Sequence, residues 1–218
     1  CIKSSNHFLG VINMDYKDYI KAEYCDAYVQ ERDNLADRLI EAKYNLLFLN
    51  MVYERDVAYR NSNDSTERFE IRIILRRIYI TVAWELVLQI KAFTDDKEKD
   101  CLTVDKFKNN IFRYIKDEKK QEYYDSLGAI KKEIDRSTCD KLVARISEYR
   151  NKIVGHNMLD SPKLTFDIRD ADFVISQYEK IFKVLNFQNE SYVKRVADLD
   201  DEMASFITAY LDVVLPLN

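Results

Sequence analysis

The fold is decided by the stretch from Leu35 to Val57, which reads L-A-D-R-L-I-E-A-K-Y-N-L-L-F-L-N-M-V-Y-E-R-D-V. Apolar side chains recur in it at steps of three and four, at Leu35, Leu39, Ala42, Leu46, Leu49, Tyr53 and Val57. This spacing places them on one face of a helix and leaves charged residues on the other. No breaker interrupts the pattern between Asp15 and Arg60, so the sequence predicts a helix of roughly 30–45 residues, either continuous or kinked or interrupted near Asp33 and Asn34.

Further stripes of helical spacing follow this segment. Residues 66–93 are apolar on two sides, which predicts a helix at the centre of a bundle. Shorter helices are predicted over 103–115, 123–134, 138–155, 170–185 and 190–214. The predicted fold is therefore all-α, an up-and-down bundle of long helices. Residues 15–218 form its single predicted domain, and residues 1–14 are an uncertain N-terminal segment.

Local signals predict where some of these helices begin or bend. Ser137 or Thr138 is the expected cap of the 138–155 helix, which ends at Gly155, and Asp170 is the expected cap of the next helix. Gly128 lies inside the 123–134 pattern, where a glycine either kinks a helix or allows close packing.

Composition excludes several classes of protein. The 218 residues contain three Gly and two Pro, too few for the turns of an all-β fold or for a Gly-rich phosphate loop. Two His and four Cys without a C-x-x-C spacing do not predict a metal site, and no cofactor is expected. The longest apolar runs, such as Leu46–Leu49 and Ile78–Ala83, are too short to span a membrane.

Charge and cysteine content indicate the class of partner and the compartment. A net charge of −4 and a pI near 5.4 argue against a general nucleic-acid coat but allow a local basic site. The scattered cysteines are typical of reduced thiols, so a cytoplasmic protein without a membrane partner is expected. The alternative is that Cys1 is the start of a processed lipoprotein.

Two clusters of basic residues could bind phosphate. In the second helix, Arg68, Arg72 and Arg76 recur at four-residue spacing, and Arg77 follows. These arginines form either ion pairs with a neighbouring helix or a row that faces phosphates. The other cluster surrounds His156, where residues 136–156 hold five Lys or Arg against two carboxylates.

His156 is the better candidate for catalysis because it follows Arg150 and Asn151 at the end of the 138–155 helix. A histidine titrates near neutrality and can give or take a proton. An arginine can hold a phosphate through two parallel hydrogen bonds. These groups suffice for metal-free RNA cleavage, in which a 2′-hydroxyl attacks its own phosphate. The only other histidine, His7, lies in the uncertain first segment and is not expected to be catalytic.

An ideal helix does not bring these two residues together. Six residues of α-helix rotate by about 600°, which leaves Arg150 and His156 about 120° apart. They share a site only if the last turn unwinds at Gly155 or if a second subunit supplies one of them. The structural alternative is that His156 caps the helix and that Arg150 and Lys152 are ordinary last-turn cations.

The string R-N-K-I-V-G-H-N at 150–157 resembles the Arg–(four to six residues)–His motif of the HEPN superfamily, and most closely its AbiU-like abortive-infection branch. The resemblance implies a HEPN-like helical bundle that dimerises and forms a metal-independent endoribonuclease site at the interface. Proteins of this superfamily belong to phage-defence or toxin systems, so the resemblance also implies a possible antitoxin partner. On this chain it makes Arg150 the phosphate-binding residue, Asn151 the polar motif residue and His156 the acid/base. Arg145, Lys152 and Asn157 are the expected further RNA contacts.

One position departs from a subgroup of that superfamily. Members neutralised by a nucleotidyltransferase antitoxin carry a modified Tyr two residues after the His, and this chain has Met158 there. That route of control is therefore not expected. The competing hypothesis for function is a non-catalytic, dimeric helical scaffold that binds a partner through its apolar stripes.

Overall fold

The computed structural model describes residues 15–61, 67–95, 102–149, 166–187, 202 and 204–213, without the side chains of 67–70. The helices named by their end residues are α1 (Tyr16–Tyr19), α2 (Cys25–Asn61), α3 (Glu67–Thr94), α4 (Val104–Tyr114), α5 (Lys120–Glu133), α6 (Arg136–Tyr149) and α7 (Ile168–Leu185). A last helix, α8, covers 204–213. The described part of the chain contains no strand, only an isolated antiparallel bridge between Ile20 and Ile115. The predicted all-α fold is confirmed.

Two long helices form the frame of the bundle. The 37 residues of α2 and the 28 of α3 give helices about 55 Å and 42 Å long. Asn45 bonds Gln89 at 2.9 Å, and Asp56 pairs with Arg72 at 3.2 Å, so the contact partner on α3 moves backwards as α2 advances. The two helices are therefore antiparallel. The long helix predicted before Arg60 is present as α2, and it is not interrupted near Asp33 and Asn34.

The contact partners of α2 along α4 and α7 give the directions of these two helices in the same way. Arg38 bonds the carbonyl of Leu102 at 3.0 Å and Glu31 accepts from Asn110 at 2.9 Å, so α4 also runs antiparallel to α2. Lys43 pairs with Glu179 at 3.2 Å, whereas Tyr28 bonds the carbonyl of Leu185 at 3.0 Å. The helix α7 is thus antiparallel to α2 as well, and α4 continues in the direction of α3.

A main core and a smaller one hold the helices together. The main core lies between α2, α3, α4 and α7, and its largest fully buried side chains include Leu35, Leu39, Leu49, Leu86, Ile90, Phe93, Phe107, Ile111 and Phe182. The smaller one joins α8 to the second half of α2 and the first half of α3. Its buried residues are Val52, Tyr59, Leu75, Ile207 and Leu211. Arg55, almost fully buried, pairs there with Asp212.

Some local predictions were wrong. The helix α6 begins at Arg136, earlier than predicted. Its cap is Asp135, whose carboxylate accepts the amide of Thr138 at 3.0 Å, and not Ser137 or Thr138. The cap of α7 is Asp167, whose carboxylate accepts the Arg169 amide at 3.0 Å, and Asp170 lies one turn later. An earlier aspartate can take each cap because the helix extends back to it.

Gly128 and α3 also differ from expectation. The helix α5 runs through Gly128, and a Cβ atom there would meet no other atom within 4 Å, so this glycine does not serve close packing. The helix α3 is buried on one side from Ala83 onward, but Ile73, Ile74 and Ile80 in its first half are each at least 40% exposed. The helix α3 is therefore central in the bundle only over its second half.

Candidate functional site

The predicted motif begins where the described part of α6 ends. Tyr149 is the last described residue of that helix, and Arg150, Asn151, Lys152, His156 and Asn157 lie outside the described residues. The predicted 138–155 helix is therefore described only up to Tyr149. The surroundings of that point nevertheless define the surface from which the motif departs.

Both ends of the motif-bearing segment are held at one place. The ring of Tyr149, which precedes residues 150–165, packs against the ring of Phe166, which follows them, with 5.4 Å between ring centroids. Tyr149 and Phe166 both pack against the main core, as does Ile168 at the start of α7. Since α6 and α7 are antiparallel neighbours, the end of α6 and the residue that precedes α7 by two positions meet at this aromatic pair.

Tyr79 on α3 interacts electrostatically with Tyr149 of this pair and with Tyr53 on α2. Burial raises the pKa of Tyr79 on α3 to about 12, with smaller contributions from Tyr149, Asp167 and Tyr53. The Tyr79 hydroxyl is therefore protonated at neutral pH and available as a hydrogen-bond donor. Tyr53 on α2 is 52% exposed, which leaves much of its ring open to solvent.

The start of α7 adds a fixed arginine. Arg169 donates to both carboxylate oxygens of Asp167, at 3.0 Å from Nε and 2.7 Å from an Nη. These side-chain hydrogen bonds, with the Arg169 amide and the charges of Arg169 and Arg145, hold the pKa of Asp167 below its ordinary value. The side chain of Arg169 is still 89% exposed, so its remaining N–H groups face solvent.

Arg145 is the one predicted site residue that the structure describes. It lies one turn before Tyr149 on α6, and its guanidinium pairs with Asp170 of α7. Its side chain is 53% exposed and Asp170 is mostly covered, so the pair joins α6 to α7 at the edge of the site. One partner cannot use all five donors of an arginine. Its RNA contact stays a prediction.

The arginines of α3 divide between the two predicted roles. Arg72 pairs with Asp56 on α2 at 3.2 Å, which is the ion-pair role. Arg76 and Arg77 are exposed, and within the described ranges their side chains form no ion pair or hydrogen bond, although the Arg77 carbonyl accepts from the Thr81 hydroxyl at 3.0 Å. Arg76 lies three residues before Tyr79, so both side chains project from one face of α3. Nothing is described of the Arg68 side chain.

Sequence reasoning missed the ring contact of Tyr149 with Phe166 and the electrostatic interactions of Tyr79 with Tyr149 and Tyr53. Tyr53 fits the apolar stripe from Leu35 to Val57, which hides its role at a half-exposed surface. The usable signal was the abundance of tyrosine, 15 in 218 residues, because a phenol combines an apolar ring with a polar end suited to a half-buried site.

Neither a metal site nor a membrane-spanning helix is found among the residues that the structure describes. Among them, no group of three or more His, Cys, Asp or Glu side chains is arranged to hold a metal ion. Cys25 and Cys139 are free thiols. No described helix combines the length and the apolar character needed to cross a membrane.

The chain was compared with protein-family models, with curated proteins and with solved structures, and none of them matches it.

Proposed function

We propose that this protein is a metal-independent endoribonuclease of the HEPN type, with its site where α6 leads into Arg150. The observation that supports the proposal is the contact of Tyr149 with Phe166 on the main core, because these two residues flank the segment that contains Arg150 and His156. A short segment anchored at both ends costs less entropy to order around a substrate than a free one.

The charges around this point suit a polyanion. Arg169, Arg76 and Arg77 are exposed, and the last two have no acidic partner within the described residues. Binding a phosphate with such arginines releases counterions, which favours association even for a protein of negative net charge. The exposed ring of Tyr53 offers a surface for stacking an unpaired base.

The proposed reaction needs only side chains and substrate. His156 removes the proton from a ribose 2′-hydroxyl, and the oxygen attacks the adjacent phosphorus. Arg150 stabilises the charge that develops on the phosphate oxygens, and Asn151 orients an oxygen or the imidazole. The 5′-oxygen leaves with the proton that His156 has taken up, which returns the imidazole to its neutral form, and the product strand ends in a 2′,3′-cyclic phosphate. Lys152, Asn157 and Arg145 hold flanking phosphates.

The test is cleavage of single-stranded RNA in the presence of a chelator. We expect His156→Ala to lower the rate by about 10²–10⁴, the usual contribution of acid/base catalysis. Arg150→Lys is expected to lower it too, because an ammonium cannot form the paired contact of a guanidinium. His7→Ala is the matched control, since it removes the other histidine, and it should cleave like the wild type.

Two further observations separate this activity from a contaminating ribonuclease. A substrate with a 2′-deoxy group at the scissile position should resist cleavage, and mass spectrometry should find the cyclic phosphate. Equal cleavage by the wild type and by His156→Ala, or no cleavage of varied RNAs by either, would contradict the proposal.

RNA binding can be tested apart from cleavage. In a His156→Ala background, Arg76→Ala with Arg77→Ala should weaken binding and reduce the salt dependence of log K by about one unit per lost phosphate contact. Arg113→Ala is the control, because Arg113 is an exposed arginine of α4 bonded to Asn110 at 2.6 Å. An equal effect of the two changes would contradict a role for the α3 arginines.

A second candidate function is supported by the outer face of α8. Phe206, Tyr210 and Val213 recur there at helical spacing and are 63%, 45% and 82% exposed. An exposed apolar stripe of this kind is typical of a surface that binds another protein. This favours a non-catalytic scaffold that binds a protein partner through α8. In that case Phe206→Glu should lose partner binding, and the wild-type protein should not cleave RNA.

A further inference from the structure

A pocket of about 420 Å³ opens between α4, α5 and α7, beside the start of α6. This size falls within the roughly 300–1,000 Å³ typical of small-molecule sites. Four aliphatic side chains line its apolar part, namely Leu127, Ile130, Ile134 and Ile181. The described lining contains no aromatic ring, so the pocket suits a flexible alkyl chain better than a base or another planar group that would need stacking.

The aliphatic lining is incompletely covered by the protein itself. Leu127 belongs to the main core, but Ile130, Ile134 and Ile181 are only half-buried. Each of these three therefore keeps apolar surface in contact with solvent inside a concave site. Covering such surface with an alkyl chain is favourable, by about 0.8 kcal/mol for each buried methylene.

The rim of the pocket is positively charged. Its charged members are Asp105, Lys108, Lys131 and Arg136. Asp105 pairs with Lys108 and, at 3.5 Å, with Arg136. Burial alone would raise the pKa of Asp105, but these two cations hold it below its ordinary value, so the carboxylate is ionised. The rim therefore carries two more positive than negative charges in a protein of net charge −4.

Lys131 is the cation best placed to meet a ligand. It is exposed on α5, one residue after Ile130 and three before Ile134, and forms no ion pair within the described residues. Arg136 is half-exposed, and besides Asp105 it bonds Asp140 at 3.0 Å, which leaves further N–H donors of its guanidinium. The two side chains come from different helices at the same rim.

We propose that this pocket binds a medium-chain fatty acid, with the alkyl chain against the four aliphatic side chains and the carboxylate at the rim between Lys131 and Arg136. An anionic head matches the rim, and an unbranched saturated tail matches a lining without rings. The site is separate from the proposed ribonuclease site, because Arg136 and Tyr149 lie at opposite ends of α6, about 20 Å apart.

The experiment is isothermal titration of the full chain with decanoate below its micellar concentration. We expect one decanoate per chain. Octanoate should bind roughly tenfold more weakly, because two fewer methylenes are buried. Decyltrimethylammonium, which has the same tail and a cationic head, should not bind measurably. Binding of both decyl compounds with similar affinity would overturn the proposal, since it would reflect the tail alone.

Two variants locate the site. Lys131→Glu should weaken decanoate binding by about tenfold or more, because it replaces a charged contact with a repulsive one. Lys132→Glu is the matched control, an exposed neighbour that does not line the pocket, and it should bind like the wild type. Ile130→Trp should block binding by filling the cavity, with circular dichroism to verify its fold. Equal affinity in Lys131→Glu and Lys132→Glu, or no binding to the wild type, would refute the site.

Discussion

Tyr28 shows how a single polar group can stabilise an otherwise apolar core. Its side chain is fully buried, and its ring packs against those of Tyr16 and Phe107 at centroid distances of 5.4 and 5.6 Å. The hydroxyl donates to the carbonyl of Leu185 at 3.0 Å, close to the end of α7. Burial raises the pKa of Tyr28 far above its usual range, so the phenol stays protonated and remains a donor.

Removal of that hydroxyl should destabilise the protein. Tyr28→Phe keeps the ring but leaves the Leu185 carbonyl without this donor, so we expect a loss of about 1–2 kcal/mol in the free energy of unfolding. Urea denaturation monitored by circular dichroism measures it. Tyr124→Phe is the control, because Tyr124 is 52% exposed, and it should change stability by less than about 0.5 kcal/mol. Equal stability of the two variants would show that the buried bond contributes nothing.

The cap of α7 should give a pH-dependent contribution to stability. The folded-state pKa of Asp167 is lowered, chiefly by its hydrogen bonds with Arg169, so its contribution is present above the unfolded pKa and is lost as pH falls through the folded value. Asp167→Ala should therefore cost about 1 kcal/mol at pH 7, and the difference from the wild type should shrink below about pH 4. Denaturation curves at pH 7, 5 and 3 test this.

The conservative substitution provides the control for that experiment. Asp167→Asn keeps a side-chain oxygen for the Arg169 amide but removes the charge. It should lose less stability than Asp167→Ala at pH 7, because Asn is also a good cap. A cost of Asp167→Ala that stayed constant from pH 7 to pH 3 would contradict the role of the ionised carboxylate.

At the scale of elements, periodicity predicted which segments are helices. It did not predict where all of them begin, or which part of each helix is buried by its neighbours. The stripe from Leu35 to Val57 is a repeated signal, so α2 was predicted with its length. A cap depends on one side chain, and Asp135 and Asp167 compete with suitable residues one turn away. Which half of α3 is buried depends on where its neighbours end, and that is a property of packing rather than of the α3 sequence.

The attachment of α8 to the bundle can be tested by one substitution on its buried side and one on its exposed side. Leu211 is 1% exposed in the smaller core, and Val213 is 82% exposed on the outer face. Leu211→Ala should weaken the docking of α8 by about 2–4 kcal/mol, the usual cost of such a truncation in a core. Hydrogen exchange should then become faster in 204–213, while the main core keeps its protection.

The other side of α8 supplies the control. Val213→Ala removes apolar atoms that contact little of the chain, so exchange in 204–213 should remain at the wild-type rate. If Leu211→Ala accelerated exchange equally in α2, α3 and α7, the smaller core would not be a separate unit of stability.

At the scale of the whole molecule, sequence could predict the motif but not the surface around it. Arg150 and His156 are neighbours in the chain, so their spacing is visible in a single line of sequence. Tyr79 and Tyr149 are separated by 70 positions and meet only because α3, α6 and α7 pack together. The pocket between α4, α5 and α7 has the same origin. Sites assembled from distant elements require the tertiary structure, whatever the strength of the local patterns.

Dimerisation through the end of α6 remains the predicted assembly, because an ideal helix separates Arg150 from His156 by about 120° and a second motif would complete the site. Sedimentation equilibrium at tens of micromolar should give twice the 25.9 kDa of one chain. Ala144 is exposed on α6, one turn before Glu148, and Ala144→Arg should shift the equilibrium to the monomer and lower RNA cleavage with it. Ala129→Arg places the same change on the exposed side of α5 and should leave both unaffected. A strictly monomeric wild type would contradict the predicted dimer. A dimer that persists in Ala144→Arg but dissociates in Phe206→Glu would instead assign the interface to α8 and favour the scaffold.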